Sequence, residues 1–288
     1  MRLWQFIADT FPTQFISQSR PLAGVWRFLF YVARPRKPFH MRTADYRFLA
    51  NPARDSLSRT VIRRGTWEAS LTEAMRNALK PGDRVIDAGA NFGHFTMTAA
   101  ARVGAGGGVY AFEPNPRTFQ ELLANASMQP HRNIRCKRVA LGDQNHKAQL
   151  FLDDKNPGGH TLERDLTEVN SRSTEVSIDT IDSLIEDGWI IGPIAYLKSD
   201  CQGADAKVLR GGWQMIARDR PTLSIEFWPA GIRRFGDDPD LLFSDLLALG
   251  YRVAMCDGET VLPTTLAQVH RRTDGNPKAH VDLIFSQN

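Results

Sequence analysis

The sequence has no paired cysteines and no long apolar run. Its three cysteines, at positions 136, 201 and 256, lie far apart and include no Cys-x-x-Cys pair. This spacing predicts neither a disulfide framework nor a cysteine zinc site, and it favours a reducing, cytoplasmic setting. The apolar stretch at residues 24–33 is half the length of about 20 residues that a bilayer span needs. An acid interrupts the first apolar run, so no signal peptide is expected either.

Nucleotide-binding signatures are missing as well. A strand-like run at 85–87 leads to Gly89, after which a dinucleotide fingerprint would place glycines at 91 and 94. Asn91 and His94 stand there instead, and no Walker-A lysine is present. The turn is therefore not suited to the pyrophosphate of NAD or FAD. No cluster of His and Asp has the spacing of metal ligands, so no metal is predicted.

Charge is distributed unevenly along the chain. Residues 1–64 contain twelve Lys and Arg against three Asp, a net +9, whereas the remainder contains 24 bases against 29 acids, a net −5. We expect a basic, aromatic extension over residues 1–53, ending in an irregular connector rich in proline, before a main domain at 54–288. One expectation is that residues 1–50 bind the anionic inner face of a membrane. The alternative is that they pack on the main domain or on another subunit.

Beyond residue 65, strand-like and helix-like patterns alternate. Strands are predicted at 85–87, 109–112, 134–141, 194–198, 223–227, 251–255 and 281–285. Helices are predicted at 66–79, 95–102, 116–126, 204–210 and 241–249. This alternation indicates an α/β fold with a doubly wound, mostly parallel, seven-stranded sheet, helices on both faces and an antiparallel last strand.

Acids stand near the ends of the first three predicted strands, at Asp87, Glu113 and Asp143. Glu113 follows Asp87 by 26 residues, the distance typical of an acid that binds ribose hydroxyls. Carboxylates attract a ligand that carries hydroxyls, an amino group and a positive sulfonium, and they repel phosphates. S-adenosylmethionine has these groups and is therefore the expected cofactor.

Five segments occur together in the order of a known family: Val85–Gly93, Val109–Pro116, Ala140–Asp143, Thr180–Leu184 and Leu197–Gly203. With them the chain resembles the FkbM family of S-adenosylmethionine-dependent methyltransferases over about residues 65–230. The resemblance implies the Rossmann-like class I methyltransferase fold and methyl transfer to oxygen. The family commonly has a bulky residue and Glu where Ala204 and Asp205 stand here, which predicts a changed pocket beside the fourth strand.

The resemblance also implies a set of cofactor-binding residues, each of which has a structural alternative. Asp87 and Gly89 could simply form a strand-end turn, Glu113 could be a helix N-terminal acid, and Asp143 could belong to a plain Gly-Asp turn. The full set is Glu68, Asp87, Gly89, Ala90, Asn91, Glu113, Pro114, Asn115, Leu141 and Asp143.

A hydroxyl acceptor needs a base near the sulfonium, at the ends of strands four and five. Asp200 and Glu226 occupy those positions, and His160 lies in the Gly/Pro-rich loop expected to cover the acceptor. The leading interpretation is O-methylation of a sugar, glycan or related natural product. Two alternatives stay open: a membrane- or partner-docked S-adenosylmethionine-binding protein with altered activity, and an RNA methyltransferase. Base-amine methylation of nucleic acid is disfavoured, because the Asn/Asp-Pro-Pro-aromatic segment is missing after strand four.

Overall fold

The structure, a computed structural model, describes residues 37–52, 56–153, 159–164 and 172–287. Residues 1–36, which contain most of the predicted basic extension, lie outside the described residues. The same holds for 154–158 and 165–171, on both sides of His160. Within the described ranges, no helix is long and apolar enough to cross a membrane.

The strands form three sheets. In chain order they are β1 Phe39–Arg42, β2 Arg47–Ala50, β3 Arg84–Ala88, β4 Gly108–Phe112, β5 Ile134–Lys137, β6 Ala140–Leu141, β7 His146–Phe151, β8 Ser173–Asp179, β9 Tyr196–Ser199, β10 Thr222–Phe227, β11 Arg252–Asp257, β12 Thr260–Pro263 and β13 Val281–Ser286. The main sheet has the order β12-β11-β13-β10-β9-β3-β4-β5. Strands β5, β4, β3, β9 and β10 are parallel, and β13 is antiparallel to both of its neighbours.

Helices cover both faces of this sheet. In chain order they are α1 Ser56–Arg64, α2 Ala69–Ala78, α3 His94–Val103, α4 Pro116–Ser127, α5 Ile181–Glu186, α6 Asp205–Arg210, α7 Trp213–Asp219, α8 Pro229–Arg234, α9 Pro239–Ala248 and α10 Leu266–Thr273. Val85 packs with α2 and α3, whereas its neighbour Ile86 packs with helices α5, α6, α7 and α9 on the opposite face. Such alternation is expected of a strand buried on both faces.

The doubly wound, mostly parallel sheet is therefore confirmed, and β12 adds an eighth strand at its edge. The single strand predicted at 134–141 is wrong: it is divided into β5, which ends the main sheet, and β6. Strand β6 joins β8 and β7 in a separate three-stranded sheet. Its pairing with β8 redirects the chain after residue 137 and covers the carboxyl end of the main sheet from one side.

The irregular connector predicted before residue 53 is also wrong. Residues 39–50 form an antiparallel hairpin in which Phe39 pairs with Ala50. The prolines flank this hairpin, and alternate side chains such as Phe48 are buried against Phe92 and Met97 of the main domain. The hairpin thus packs on the predicted 54–288 domain, although its residues belong to the predicted extension.

Candidate active site

A cavity of about 390 Å³ opens at the carboxyl ends of β3, β4, β9 and β10. Parallel strands in open α/β sheets bind ligands at this edge. Ten of the thirteen predicted site residues line the cavity: Glu68, Gly89, Ala90, Asn91, Glu113, Pro114, Leu141, His160, Asp200 and Glu226. The sequence prediction therefore located this site, although ligand contacts stay predictions.

Glu113 follows β4 and is held by the backbone of two neighbouring segments. The N–H of Asn91 donates to its Oε2 at 3.0 Å, and the N–H of Asn115 donates to its Oε1 at 2.9 Å. Burial raises the pKa of Glu113 to about 7, although the same two N–H groups oppose the rise. Each carboxylate oxygen keeps a second lone pair, so Glu113 can still accept a hydrogen bond from a ligand in the cavity.

Asn115 and Asp87 do not line the cavity. The Asn115 side chain instead caps α4 by accepting from the N–H groups of Arg117 and Thr118. Asp87 lies one layer below, where its Oδ2 accepts from Thr96 Oγ1. Its buried Oδ1 has no hydrogen-bond partner among the described residues and lies 3.9 Å from Lys198 Nζ. Both residues therefore lie outside the cavity lining, and their predicted contacts with the cofactor stay predictions.

Asp143 is the third predicted residue that does not line the cavity. Its carboxylate Oδ2 accepts from Lys207 Nζ at 3.0 Å. The adjacent Gly142 backbone lies against Gly211, which directly follows α6. These contacts fit the alternative interpretation, a plain Gly-Asp turn, and the contact of Asp143 with the cofactor stays a prediction.

Gly89 is needed for a close approach between two loops. At φ +75, a Cβ added there would lie 2.0 Å from the backbone oxygen of Asp200. The loops after β3 and β9 therefore touch through backbone alone. This contact brings Asp200 beside the predicted cofactor loop.

Two carboxylates and a lysine meet around the loop after β9: Lys198 of β9, Asp200 of the loop and Glu226 of β10. Lys198 Nζ lies 3.3 Å from Asp200 Oδ2. The amide Nε2 of Gln202 donates to Asp200 Oδ1 at 3.3 Å and to Glu226 Oε2 at 3.1 Å, so it bridges the two predicted bases. Gln202 has a left-handed backbone, with φ 52. Asp205 stabilises the loop by accepting from the N–H groups of Cys201 and Gly203.

Burial shifts the pKa values of the acids and of the lysine in opposite directions. It raises the pKa of Glu226 well above its ordinary value, and Asp200 adds to the rise. Burial also raises the pKa of Glu68 to about 8, with Asp282 and Asp200 contributing. For Lys198, burial lowers the pKa, but Asp200 and Asp87 raise it more, so the net pKa lies above the ordinary lysine value. Lys198 is therefore a cation within a carboxylate cluster.

His160 lines the cavity, but its hydrogen bonding opposes the predicted role as base. The N–H of Asp153 donates to His160 Nδ1 at 3.0 Å, so this nitrogen carries no proton. A neutral ring then has its proton on Nε2 and no free lone pair left. The role of His160 as a base stays a prediction, and it would require release of the hydrogen bond from Asp153.

Residues at the C-terminal strand were missed. His280 lines the cavity with Nε2 at 3.8 Å from Glu226 Oε1, and Asp282 is paired in register with Glu226. The antiparallel last strand was a signal for them, because it begins at the edge where its parallel neighbours end.

In the described ranges, no group of three or more His, Cys, Asp and Glu side chains could hold a metal ion. The metal-free site stays a prediction.

A protein-family profile matches the central part of the chain, which carries most of this site. The profile described as "Methyltransferase FkbM domain" matches residues 87–253, more than half of the chain. The chain belongs to the FkbM methyltransferase family. This match confirms the resemblance that was inferred from the five segments. Members of this family use S-adenosylmethionine. No curated protein matches the chain significantly.

Among solved structures, the chain is similar to the FkbM methyltransferase of Methylobacillus flagellatus KT, with 15% identity and a TM-score of 0.44 over 80% of this chain and 55% of that one. It thus spans about half of that relative. It is also similar to a putative rRNA methylase of Clostridium thermocellum, with 11% identity and a TM-score of 0.45 over 77% and 98%. An S-adenosylmethionine-dependent O-methyltransferase of Thermotoga maritima has 13% identity and a TM-score of 0.41 over 88% and 86%.

The cavity of this FkbM chain suits the family's cofactor. Glu113 offers carboxylate lone pairs for ribose hydroxyls beside the apolar surfaces of Phe112 and Leu141. At the other end, Glu68, Asp200 and Glu226 line the cavity around the single lysine, Lys198. These acidic groups complement a ligand with hydroxyls, an amino group and a sulfonium.

Proposed function

We propose that the protein transfers a methyl group from S-adenosylmethionine to a hydroxyl of a sugar, glycan or related natural product. The observation that carries the proposal is the arrangement of Asp200 and Glu226 in the same cavity as Glu113 and Glu68. One pair of acids suits the methyl donor, and the other suits a hydroxyl group that must lose its proton.

The cofactor supplies an electrophilic methyl group on a sulfonium. Asp200 accepts the proton of the acceptor hydroxyl, and Lys198 Nζ lies 3.3 Å from its Oδ2. A base in this position contributes about 10²–10⁴-fold to the rate. Gln202 fixes the carboxylate of Asp200 through its 3.3 Å hydrogen bond.

Glu226 acts as a neutral group. Burial and the neighbouring Asp200 raise its pKa well above the ordinary value, which favours its protonated form. A protonated carboxyl both donates and accepts hydrogen bonds, so Glu226 can orient an acceptor hydroxyl toward Asp200. Glu226 is thus a positioning group, and Asp200 is the base.

The charges around the cavity support an uncharged acceptor over RNA. Of the described lining residues, Lys198 is the sole Lys or Arg, and carboxylates already surround it. A phosphodiester brought to this end would meet no second Lys or Arg among the described lining residues, and the one lysine is already paired with carboxylates. Docking of residues 1–50 on an anionic surface stays a prediction, because most of them lie outside the described residues.

Two measurements test the proposal. Calorimetry should detect binding of S-adenosylmethionine and of its demethylated product, S-adenosylhomocysteine. Tritiated methyl transfer into fractionated cell extract should then label a glycan or small-molecule fraction, and Asp200→Asn should abolish the label while leaving product binding intact. Failure of both ligands to bind, or label confined to RNA, would overturn the proposal.

A further inference from the structure

His94, the first residue of α3, is buried with hydrogen bonds at both ring nitrogens. Its Nδ1 lies 2.6 Å from the hydroxyl of Tyr46, and its Nε2 lies 3.0 Å from Thr72 Oγ1. Thr72 Oγ1 also donates to the backbone oxygen of Trp67 at 2.6 Å. These contacts run from the β1–β2 hairpin, through α3 and α2, to the wall of the cavity.

The proton positions in this series of hydrogen bonds follow from its last group, the carbonyl oxygen of Trp67. A carbonyl oxygen can only accept, so the Thr72 hydroxyl donates to Trp67 and accepts from His94 Nε2–H. His94 Nδ1 then carries no proton and accepts from Tyr46. Burial lowers the pKa of His94 to about 3, with Arg76 and Lys198 adding to the effect, and this agrees with a neutral ring.

The series of hydrogen bonds from Tyr46 to Trp67 ends beside a residue with a rare backbone conformation. Glu68 has a left-handed φ of 41, which non-glycine residues adopt only where the surroundings hold them. Its carbonyl accepts from the N–H of Thr72 at 2.8 Å. Thr72 therefore binds the backbone of both Trp67 and Glu68, and both of these residues line the cavity.

A second connection attaches the same hairpin to the opposite wall. The N–H of Leu49 donates to Asn125 Oδ1 at 2.8 Å, and Asn125 Nδ2 donates to the carbonyl of Phe92 at 2.8 Å. Phe92 also lines the cavity, in the loop after β3. The hairpin is thus bonded to two walls of the site.

We propose that Tyr46 and His94 are positioning residues for Glu68, so that the hairpin at 39–50 is part of the methyl-donor site. The inference rests on the proposed function, because it takes Glu68 as a ligand for the amino-acid end of the cofactor. Tyr46 and Glu68 both lie before residue 87, where the family match begins. His94 itself offers the ligand no free ring nitrogen, so it acts through the wall.

The test measures the affinity for S-adenosylhomocysteine in the full chain by calorimetry. Tyr46→Phe removes one hydroxyl and leaves the ring packing in place, and we expect Kd to rise about fivefold. Thr72→Val removes the middle link and should have the same effect. Tyr251→Phe is the matched control, because its buried hydroxyl donates to the carbonyl of Pro221 at 2.8 Å and does not line the cavity.

A double-variant cycle separates positioning from general stability. Tyr46→Phe should weaken binding in the wild-type background and have no further effect in Glu68→Gln. An unchanged Kd in both Tyr46→Phe and Thr72→Val, or an equal loss in the Glu68→Gln background, would overturn the positioning role. Wild-type protein that binds no S-adenosylhomocysteine would instead overturn the proposed function itself.

Discussion

Replacing Glu113 by glutamine tests the methyl-donor site most directly. If the carboxylate accepts ribose hydroxyls, Glu113→Gln removes a charge-assisted hydrogen bond worth about 1.5–3 kcal/mol. This corresponds to a Kd for S-adenosylhomocysteine that is about 10- to 100-fold higher. Glutamine has nearly the same shape as glutamate, so the cavity volume should stay the same. The loss of affinity would therefore result from removal of the carboxylate charge.

The same variant has a predictable cost in stability. In the wild type, each oxygen of Glu113 accepts a backbone N–H, from Asn91 at 3.0 Å and from Asn115 at 2.9 Å. Glutamine has one oxygen, so one N–H would face an NH₂ group and lose its partner. A buried unpaired N–H costs about 1–3 kcal/mol, which should appear as a lower free energy of unfolding without ligand.

Calorimetry for Kd and urea unfolding for stability check the two parts separately. Asp143→Asn is the matched control, because Asp143 also follows a strand but pairs with Lys207 outside the cavity. Its Kd should equal that of the wild type. Wild-type affinity in Glu113→Gln would refute the assignment, and so would an equal loss of affinity in Asp143→Asn.

Three further predictions follow from the site. Glu226→Gln should retain most methyl transfer near pH 7, since Gln resembles a protonated Glu226, whereas Asp200→Asn should lower kcat about 10²-fold or more; equal losses in a tritium-transfer assay would contradict the division of roles. Gly89→Ala should destabilise the fold by about 2–4 kcal/mol in urea unfolding, since its Cβ would meet the Asp200 backbone at 2.0 Å. Gly82→Ala, with nothing within 4 Å at a similar φ, should cost less. Burial raises the pKa of Glu68 from 4.5 to about 8, so its contribution to stability is present below pH 4.5 and is lost as pH rises through about 8. The ligand-free protein should therefore be less stable at pH 8 than at pH 5, and a pH dependence that is unchanged in Glu68→Gln would contradict this.

Most of the sheet was predictable because most of its strands carry their own signal. Apolar runs such as 109–112 are bounded by glycine or by an acid and proline, and they need no tertiary information to be recognised. The hairpin at 39–50 was not predictable in this way. Its strands are four residues long, and three prolines nearby suggested an irregular segment, whereas they stand outside its pairs.

Among the predicted site residues, Glu113 lines the cavity and Asp143 does not, although both are acids at strand ends. The difference lies in distant partners. Asp143 meets Lys207, which is 64 positions away in the chain, whereas Glu113 is held by backbone groups of the cavity loops. Similarly, the hydrogen bond from Asp153 to His160 decides which ring nitrogen is protonated, and no spacing rule indicates it.

The site extends past the family match at both ends. Asn91, Glu113 and Asp200 lie within residues 87–253, whereas Glu68 precedes that range and His280 follows it. The matched range carries the ribose-binding acid and the base that we propose. The segment before the match contributes Glu68, which we assign to the methyl-donor site, whereas the segment after it places His280 and Asp282 beside Glu226. Acceptor choice is therefore expected to depend on the C-terminal segment, because its side chains lie beside the group that we propose orients the acceptor hydroxyl.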